Sequence, residues 1–286
     1  MPSSFELPHL TQAHIAVTRA VMVQNEHGEQ VSSTIPAERA LTVYVDKREL
    51  VTLMTLGASP ELLVLGYLRN QRLVRSVHDI ASITVDWEVG AAAVKTHSGI
   101  DNIEARTSKR VVTTGCGQGS VFGALMDEVD NIALAPGSVL QSQLYGIVNT
   151  IRLHDSVYKA AGSVHGCALF QGEELLVFVE DVGRHNAIDT IAGWMWMRGM
   201  TGANKVFYTT GRLTSEMIIK AAQMGIPIVV SRSGITEMGL AVAQRVGLCS
   251  IGRATHKRFL CYSAFERLQM QPQGQLQTEL GAPSVS

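Results

Sequence analysis

A single cysteine within a glycine-rich run is the residue of this chain best suited to nucleophilic chemistry. Residues 115–119 read Gly-Cys-Gly-Gln-Gly and directly follow a β-rich segment at 110–114. Glycines remove steric cover and permit unusual backbone angles, so the pattern predicts that Cys116 is an exposed, reactive thiol. The run could instead cradle a phosphate, but it lacks the Lys-Ser/Thr ending of a P-loop.

The other cysteines indicate packing rather than chemistry. Cys167, Cys249 and Cys261 lie in apolar segments, and we interpret them as core residues. No two of the four cysteines have the Cys-x-x-Cys spacing. We therefore expect neither a disulfide framework nor a metal site.

Four predicted turns combine an arginine with a glycine and a hydroxyl, amide or imidazole donor. They cover residues 181–186, 209–214, 231–236 and 252–258. In an open α/β sheet, ligands bind at the carboxyl ends of the strands, where helix N-termini offer free N–H groups. Ordinary helix capping explains any one turn, whereas the set predicts a polyphosphate ligand such as a nucleotide. The arginines of these turns are Arg184, Arg212, Arg232, Arg253 and Arg258.

Two histidines are further candidates, either as acid/base groups or as hydrogen-bond donors to a ligand. They are His165 and His185. Glu180, Asp181 and Asp189 could orient them. Each histidine alone is also explained by a structural role.

The composition fits a folded protein without general affinity for anionic surfaces. The chain has 286 residues, of which 46% are apolar and 17% charged, and its formal net charge is −1. This balance argues against nucleic acid or membrane partners. No apolar stretch reaches the roughly 20 residues of a membrane span, and the N-terminus lacks the features of a signal peptide. We therefore expect a cytoplasmic protein.

The predicted secondary structure changes near residue 108. Residues 11–108 read mainly as strands, interrupted by one helix that starts after Ser59 with a proline at its first position. Residues 109–268 alternate strand and helix, which predicts a sheet covered by helices on both faces. Residues 269–286 are rich in Gln, Pro, Gly and Ser and are predicted to form a disordered tail.

Residues 109–268 give specific predictions of helices and strands. Helices are predicted at residues 139–153, 185–198, 214–224 and 236–246. Strands are predicted at 205–208 and 227–230 and near Cys249 and Phe259. Gly172 suits a hairpin turn, and Gly225 and Gly247 suit helix C-termini.

Several segments together resemble the formate dehydrogenase accessory sulfurtransferase family (FdhD/NarQ). The most specific is residues 180–189, Glu-Asp-Val-Gly-Arg-His-Asn-Ala-Ile-Asp. Supporting segments lie at 210–216, 220–227 and 262–268. The resemblance extends from about residue 38 to residue 268.

The resemblance implies a sulfur carrier. Such a protein accepts persulfide sulfur from a cysteine desulfurase and passes it to the molybdenum or tungsten bis(molybdopterin guanine dinucleotide) cofactor of formate dehydrogenase. It implies that Cys116 carries the persulfide, and that a GDP-like nucleotide could mimic part of the cofactor. It also implies a homodimer and a cytidine deaminase-like, three-layer α/β/α fold with a mainly β N-terminal subdomain.

The cofactor-contacting segment of the family corresponds to residues 253–258. Together with the turns described above, this gives the expected cofactor-binding residues, which are Arg184, His185, Arg212, Arg232, Arg253, Ala254, Thr255, His256, Lys257 and Arg258.

The sequence departs from the family pattern in two places. Many members have a second loop cysteine where this chain has Gly119, which excludes a relay between two loop cysteines of one chain. Many also have Thr-Gly-Gly before the histidine, where this chain has Ala-Gly-Ser at 161–163. The His-x-Glu and Pro-Cys-x-x-Cys set of a zinc deaminase is missing, so the deaminase-like fold does not imply deamination.

Two alternatives to sulfur transfer stay open from the residues alone. The chain could be a non-catalytic chaperone that holds the guanine dinucleotide cofactor. It could also be a cysteine hydrolase that uses Cys116 with His165 or His185.

Overall fold

The computed structural model describes residues 6–100 and 129–271. The chain divides into two compact units built from alternating segments. The first contains the chain up to Glu128 together with Asp155–Cys167 and Val179–Met200. The second contains the remaining segments, Val129–His154, Ala168–Phe178 and the chain from Thr201. The predicted boundary at residue 108, the predicted strand at 110–114 and Cys116 lie outside the described residues.

The described residues form six α-helices and fifteen strands. Helices α1–α6 are Pro60–Asn70, Gln141–Leu153, Val157–Ala161, Arg184–Met197, Ser215–Gln223 and Glu237–Val246. Strands β1–β7 are His9–Leu10, Thr18–Gln24, Gln30–Pro36, Arg39–Val45, Arg48–Thr55, Ile80–Asp86 and Ala91–Thr96. Strands β8–β15 are Val139–Leu140, His165–Gln171, Glu174–Asp181, Lys205–Thr209, Ile228–Ser231, Cys249–Thr255, Arg258–Ser263 and Leu268–Gln269. None of the described helices is long and apolar enough to cross a membrane.

The first unit is built on a five-stranded sheet in the order β1-β6-β7-β4-β5. Strands β2 and β3 form a separate antiparallel ribbon. Helix α1 begins at the predicted place with Pro60, but the Ser59 side chain makes no capping hydrogen bond. Its apolar face, including Leu63, Val64 and Leu68, joins the sheet residues in one buried core.

Helices α1 and α4 approach each other at backbone distance. A Cβ atom on Gly66 of α1 would lie 1.7 Å from the carbonyl oxygen of Asp189, and one on Gly193 of α4 would lie 2.1 Å from that of Leu62. Only glycine permits such an approach at both positions. The prediction placed residues 185–198 with the second domain, whereas this contact places α4 in the first unit.

The second unit contains the carboxyl-terminal strands of a six-stranded sheet in the order β10-β9-β11-β12-β13-β14. Strands β11, β12 and β13 are parallel, and β14 returns antiparallel to β13. The core of this unit includes Phe170, Tyr208, Val230 and Ile251. Parallel strands connected by α5 and α6 give the alternating pattern that the sequence predicted.

Most of the elements predicted after residue 160 are confirmed to within one residue. Gly172, Gly225 and Gly247 all have positive φ, as hairpin turns and helix C-termini require. The predicted helix at 139–153 is wrong for its first two residues, because they form β8 and pair in parallel with β15. A mixed α/β fold is thus confirmed, while the cytidine deaminase-like arrangement stays a prediction.

We expect Gly66→Ala to destabilise the first unit by about 1–3 kcal/mol or more, because the new methyl group overlaps the backbone of α4. Urea denaturation followed by circular dichroism measures the loss. Gly146→Ala in the second unit is the control, since the three atoms nearest to the new methyl group belong to the side chain of Glu173 rather than to backbone, and alanine favours the helix. Equal denaturation midpoints for the two variants would contradict the close helix contact.

Candidate functional site

Two arginine-bearing turns of the second unit lie side by side. Arg212 follows β11 and Arg232 follows β12, and both side chains are exposed. The strands are parallel with Thr209 opposite Ser231, so the turns begin at the same level of the same sheet edge. Strand pairing therefore confirms that these two predicted turns share one edge.

Hydrogen bonds from two hydroxyl groups join the two turns to each other. The Ser231 hydroxyl donates to the carbonyl of Gly211 at 2.6 Å, and the Ser233 hydroxyl donates to that of Thr210 at 3.0 Å. The sequence pattern included the hydroxyls of the 231–236 turn, but it did not predict that these two serines join the turns. Their signal was present, because both turns open with a hydroxyl residue at the end of a strand and continue with arginine and glycine.

Arg253 joins the same edge from the third parallel strand. Its N–H donates to the carbonyl of Ser233 at 2.6 Å, and its side chain is exposed. Its φ is +53°, a left-handed conformation that costs about 1–3 kcal/mol in a residue with a side chain. The backbone hydrogen bond to Ser233 holds Arg253 beside the Arg232 turn, and its side chain is exposed to solvent.

The rest of the 253–258 segment is a hairpin tip. Thr255 pairs with Arg258, and His256 and Lys257 form the turn between them. All four side chains are exposed. Ala254 differs, because it is 1% exposed and belongs to the core of the second unit. Its side chain anchors the tip.

The helix that follows the Arg212 turn begins with a buried hydroxyl. Thr214 is the N-cap residue of α5, yet its Oγ1 is buried and makes no hydrogen bond within the described residues. By contrast, Thr236 caps α6 by accepting from the N–H of Gly239 at 3.2 Å. The N-terminus of α5 thus has a buried polar atom without a hydrogen-bond partner among the described residues, close to the Arg212 turn.

An acidic side chain in the first turn of α5 has its charge compensated. Glu216 lies 3.7 Å from the ammonium group of Lys220, which is fully buried. The pair therefore adds little net negative charge beside the Arg212 turn. The exposed side chains of this edge are mostly cationic, which suits a polyanion.

Arg184 and His185 belong to the first unit, where they begin α4. Both are buried, with 6% and 5% of their surface exposed. The turn before them is organised by Asp181, whose carboxylate accepts hydrogen bonds from the Thr55 hydroxyl at 2.5 Å and the Asn186 amide at 2.8 Å. Burial raises the pKa of Asp181, and these hydrogen bonds oppose that rise.

The other carboxylates predicted to orient a histidine have different hydrogen-bond partners. Glu180 accepts from the N–H groups of Val157 and Tyr158 at the start of α3. Asp189 is fully buried and accepts from the Asn70 amide at 2.7 Å. Residues 180–189 are thus largely internal to the first unit.

Val129 and Asp130, which lie ten and eleven residues after Gly119 in the sequence, are held against α6. Val129 is 1% exposed, and the carboxylate of Asp130 pairs with both Nε and Nη2 of Arg245. Cys116 itself lies outside the described residues. Within residues 6–100 and 129–271, no group of three His, Cys, Asp or Glu side chains could hold a metal ion.

Known proteins similar to this chain agree on one family. The sequence profile of the FdhD/NarQ family matches residues 36–269. Sulfur carrier protein FdhD of Halalkalibacterium halodurans is 29% identical over 261 residues, which cover 90% of this chain and 94% of that protein. Sulfur carrier protein FdhD of Bacillus licheniformis is 30% identical, with 87% and 92% covered.

A solved structure is also similar. It is the crystal structure of a putative formate dehydrogenase accessory protein from Desulfotalea psychrophila. The TM-score is 0.70 at 25% identity, and the match covers 88% of this chain and 98% of that one.

We expect Thr55→Val to destabilise the first unit by about 1–3 kcal/mol at neutral pH, because buried Asp181 loses a hydroxyl donor. The raised pKa of Asp181 means that its favourable contribution is present below the unfolded value near 3.8 and is lost as pH rises through the folded value. The variant raises the folded pKa further, so its stability deficit should grow as pH rises from acidic to neutral.

Urea denaturation across that pH range measures the deficit. Thr42→Val is the matched control, since it removes an exposed hydroxyl bond to Thr52 in the same sheet. Its effect should be small and independent of pH. A pH-independent deficit in Thr55→Val would contradict the assigned role of Asp181.

Proposed function

Because the chain belongs to the FdhD/NarQ family, we propose that it is a sulfur carrier in formate dehydrogenase maturation that loads persulfide sulfur on Cys116. The sulfur is delivered to a molybdenum or tungsten bis(molybdopterin guanine dinucleotide), which is the substrate of the transfer. The donor is a cysteine desulfurase and the recipient is formate dehydrogenase. The expected homodimer stays a prediction.

The observation that carries the proposal is the cationic edge of the second unit. Arg212, Arg232 and Arg253 are exposed on turns whose backbones are joined by hydrogen bonds. A guanidinium offers a planar pair of donors that matches phosphate oxygens. The bound substrate carries pyrophosphate groups, so these arginines would hold it by its nucleotide ends.

Sulfur loading is a displacement at sulfur. The Cys116 thiolate attacks the outer sulfur of the donor's persulfide, the donor S–S bond breaks, and the donor leaves as a thiolate. Cys116 then carries one additional sulfur as a persulfide. The pair of electrons in the broken bond departs with the donor, so no outside oxidant or reductant is needed.

Chain length permits the loaded thiol to reach the cationic edge. Twelve residues lie between Cys116 and Val129, which is fixed on α6 next to Asp130. They can extend at most about 45 Å. Helix α6 has 10 residues and is about 15 Å long, and it begins directly after the Arg232 turn. The maximum extension of these residues therefore exceeds the length of α6.

A non-catalytic cofactor chaperone is the second candidate. The observation in its favour is Gly119, which leaves the loop with a single cysteine. In that case the cationic edge would bind the guanine dinucleotide and sulfur would travel by another route. Persulfide formation on Cys116 separates the two functions.

We expect Cys116→Ala to abolish formate dehydrogenase maturation in cells that lack their own copy of this protein, since no other loop thiol can carry the sulfur. Mass spectrometry after incubation with a desulfurase and cysteine should show an adduct of about 32 Da, one sulfur, on Cys116 of the unaltered protein. Gln118→Ala is the control from the same loop. It should retain both formate dehydrogenase maturation and the sulfur adduct on Cys116. Full maturation by Cys116→Ala would overturn the carrier role.

We expect Arg253→Ala to weaken GDP binding by about 1.5 kcal/mol or more, roughly ten-fold, because a charged hydrogen bond to phosphate is lost. Isothermal titration calorimetry measures the change. Arg152→Ala is the matched control, because Arg152 is exposed in the same unit and donates to Asn149 of its own helix, away from the three turns. Equal GDP affinity in both variants would contradict the proposed binding of phosphate by the cationic edge.

A further inference from the structure

Two cysteines of the second unit are neighbours across a pair of strands. Cys249 lies on β13 and Cys261 on β14, and their sulfur atoms are 3.8 Å apart. Ser250 pairs with Ser263 and Ile251 with Cys261, so β14 contains one additional residue at Tyr262. The nearby hydroxyls of Ser250 and Ser263 are 2.6 Å apart. The two sulfurs are thus held next to each other by pairing on both strands.

The two thiols have different environments. Cys249 is fully buried, whereas Cys261 is half-buried at the margin of the core. The Cys249 and Cys261 thiols share a hydrogen bond, which lowers the pKa of Cys261 to about 7 and, together with burial, raises the pKa of Cys249. Glu266 raises the pKa of both thiols, and Arg267 lowers that of Cys249. A reachable thiol with a lowered pKa therefore lies beside a sheltered thiol.

We propose that Cys249 and Cys261 form a redox-active dithiol that a hydroperoxide oxidises reversibly to a disulfide. In the first step the Cys261 thiolate attacks the peroxide oxygen, the O–O bond breaks, and an alcohol or water leaves after taking a proton from solvent. Cys261 is then a sulfenic acid, oxidised by two electrons. In the second step the Cys249 sulfur displaces the sulfenic hydroxyl, which leaves as water with the Cys249 proton.

The geometry requires only a small approach of the sulfurs. A disulfide bond is about 2.0 Å long, so the sulfurs must close less than 2 Å from their present separation. The bond would form in the hairpin whose far end is the exposed 255–258 tip. Oxidation would covalently link β13, which carries Arg253 of the cationic edge, to β14.

The test uses the full-length chain with Cys116→Ser, so that only three thiols remain. The protein is treated with hydrogen peroxide, alkylated under denaturing conditions and digested without reductant. We expect a peptide pair joined through Cys249 and Cys261, lighter by two hydrogen atoms, and the loss of two of three alkylatable thiols. Dithiothreitol should separate the linked peptides and restore the two lost alkylatable thiols. Cys167, which is buried on β9, should stay alkylatable.

Two variants separate the steps. In Cys249→Ser, Cys261 should accumulate as a sulfenic acid that dimedone traps. In Cys261→Ser, Cys249 should stay reduced. Three free thiols after peroxide treatment, a link that involves Cys167, or a link between two chains would each overturn the proposal. Because peptide mapping of the Cys116→Ser chain leaves this cysteine pair intact, the result holds even if a pair variant folds poorly.

Discussion

The parallel pairing of β11, β12 and β13 determines where the exposed arginines of the second unit lie. Parallel strands all end at the same edge of their sheet, so the turns that follow them emerge together. Hydroxyls at the start of the Arg232 turn then join it to the Arg212 turn. The backbone of this edge is thus ordered before a ligand arrives, which lowers the ordering cost that binding must overcome.

The first unit depends on a different constraint, which is the burial of polar groups between closely packed elements. Asp181 is surrounded by four donors from β5, the adjoining turn and α4. Asp189 is buried where α4 meets α1 and bonds to Asn70. Buried carboxylates are tolerated only with such partners. The segment that identifies the family most specifically therefore has a structural role in this unit, whatever else its arginine and histidine contact.

Local signals in the sequence predicted most elements of the second unit. Hydrophobic period, cap residues and glycines with positive φ act over a few residues, and those predictions agree with the structure. Three features depend on tertiary contacts and were missed. They are the assignment of α4 to the first unit, the burial of Arg184 and His185, and the adjacency of Cys249 and Cys261, which requires the strand register.

The order of segments along the chain also determines when the first unit can be completed in the cell. Gly66 of α1 needs the backbone of α4, which is synthesised more than a hundred residues later. At roughly 5–20 residues per second, a ribosome takes about 6 to 25 s over that interval. Throughout it the nascent chain carries α1 without its partner helix. Such a chain is a candidate for chaperone protection, and the emergence of α4 from the ribosome would end that need.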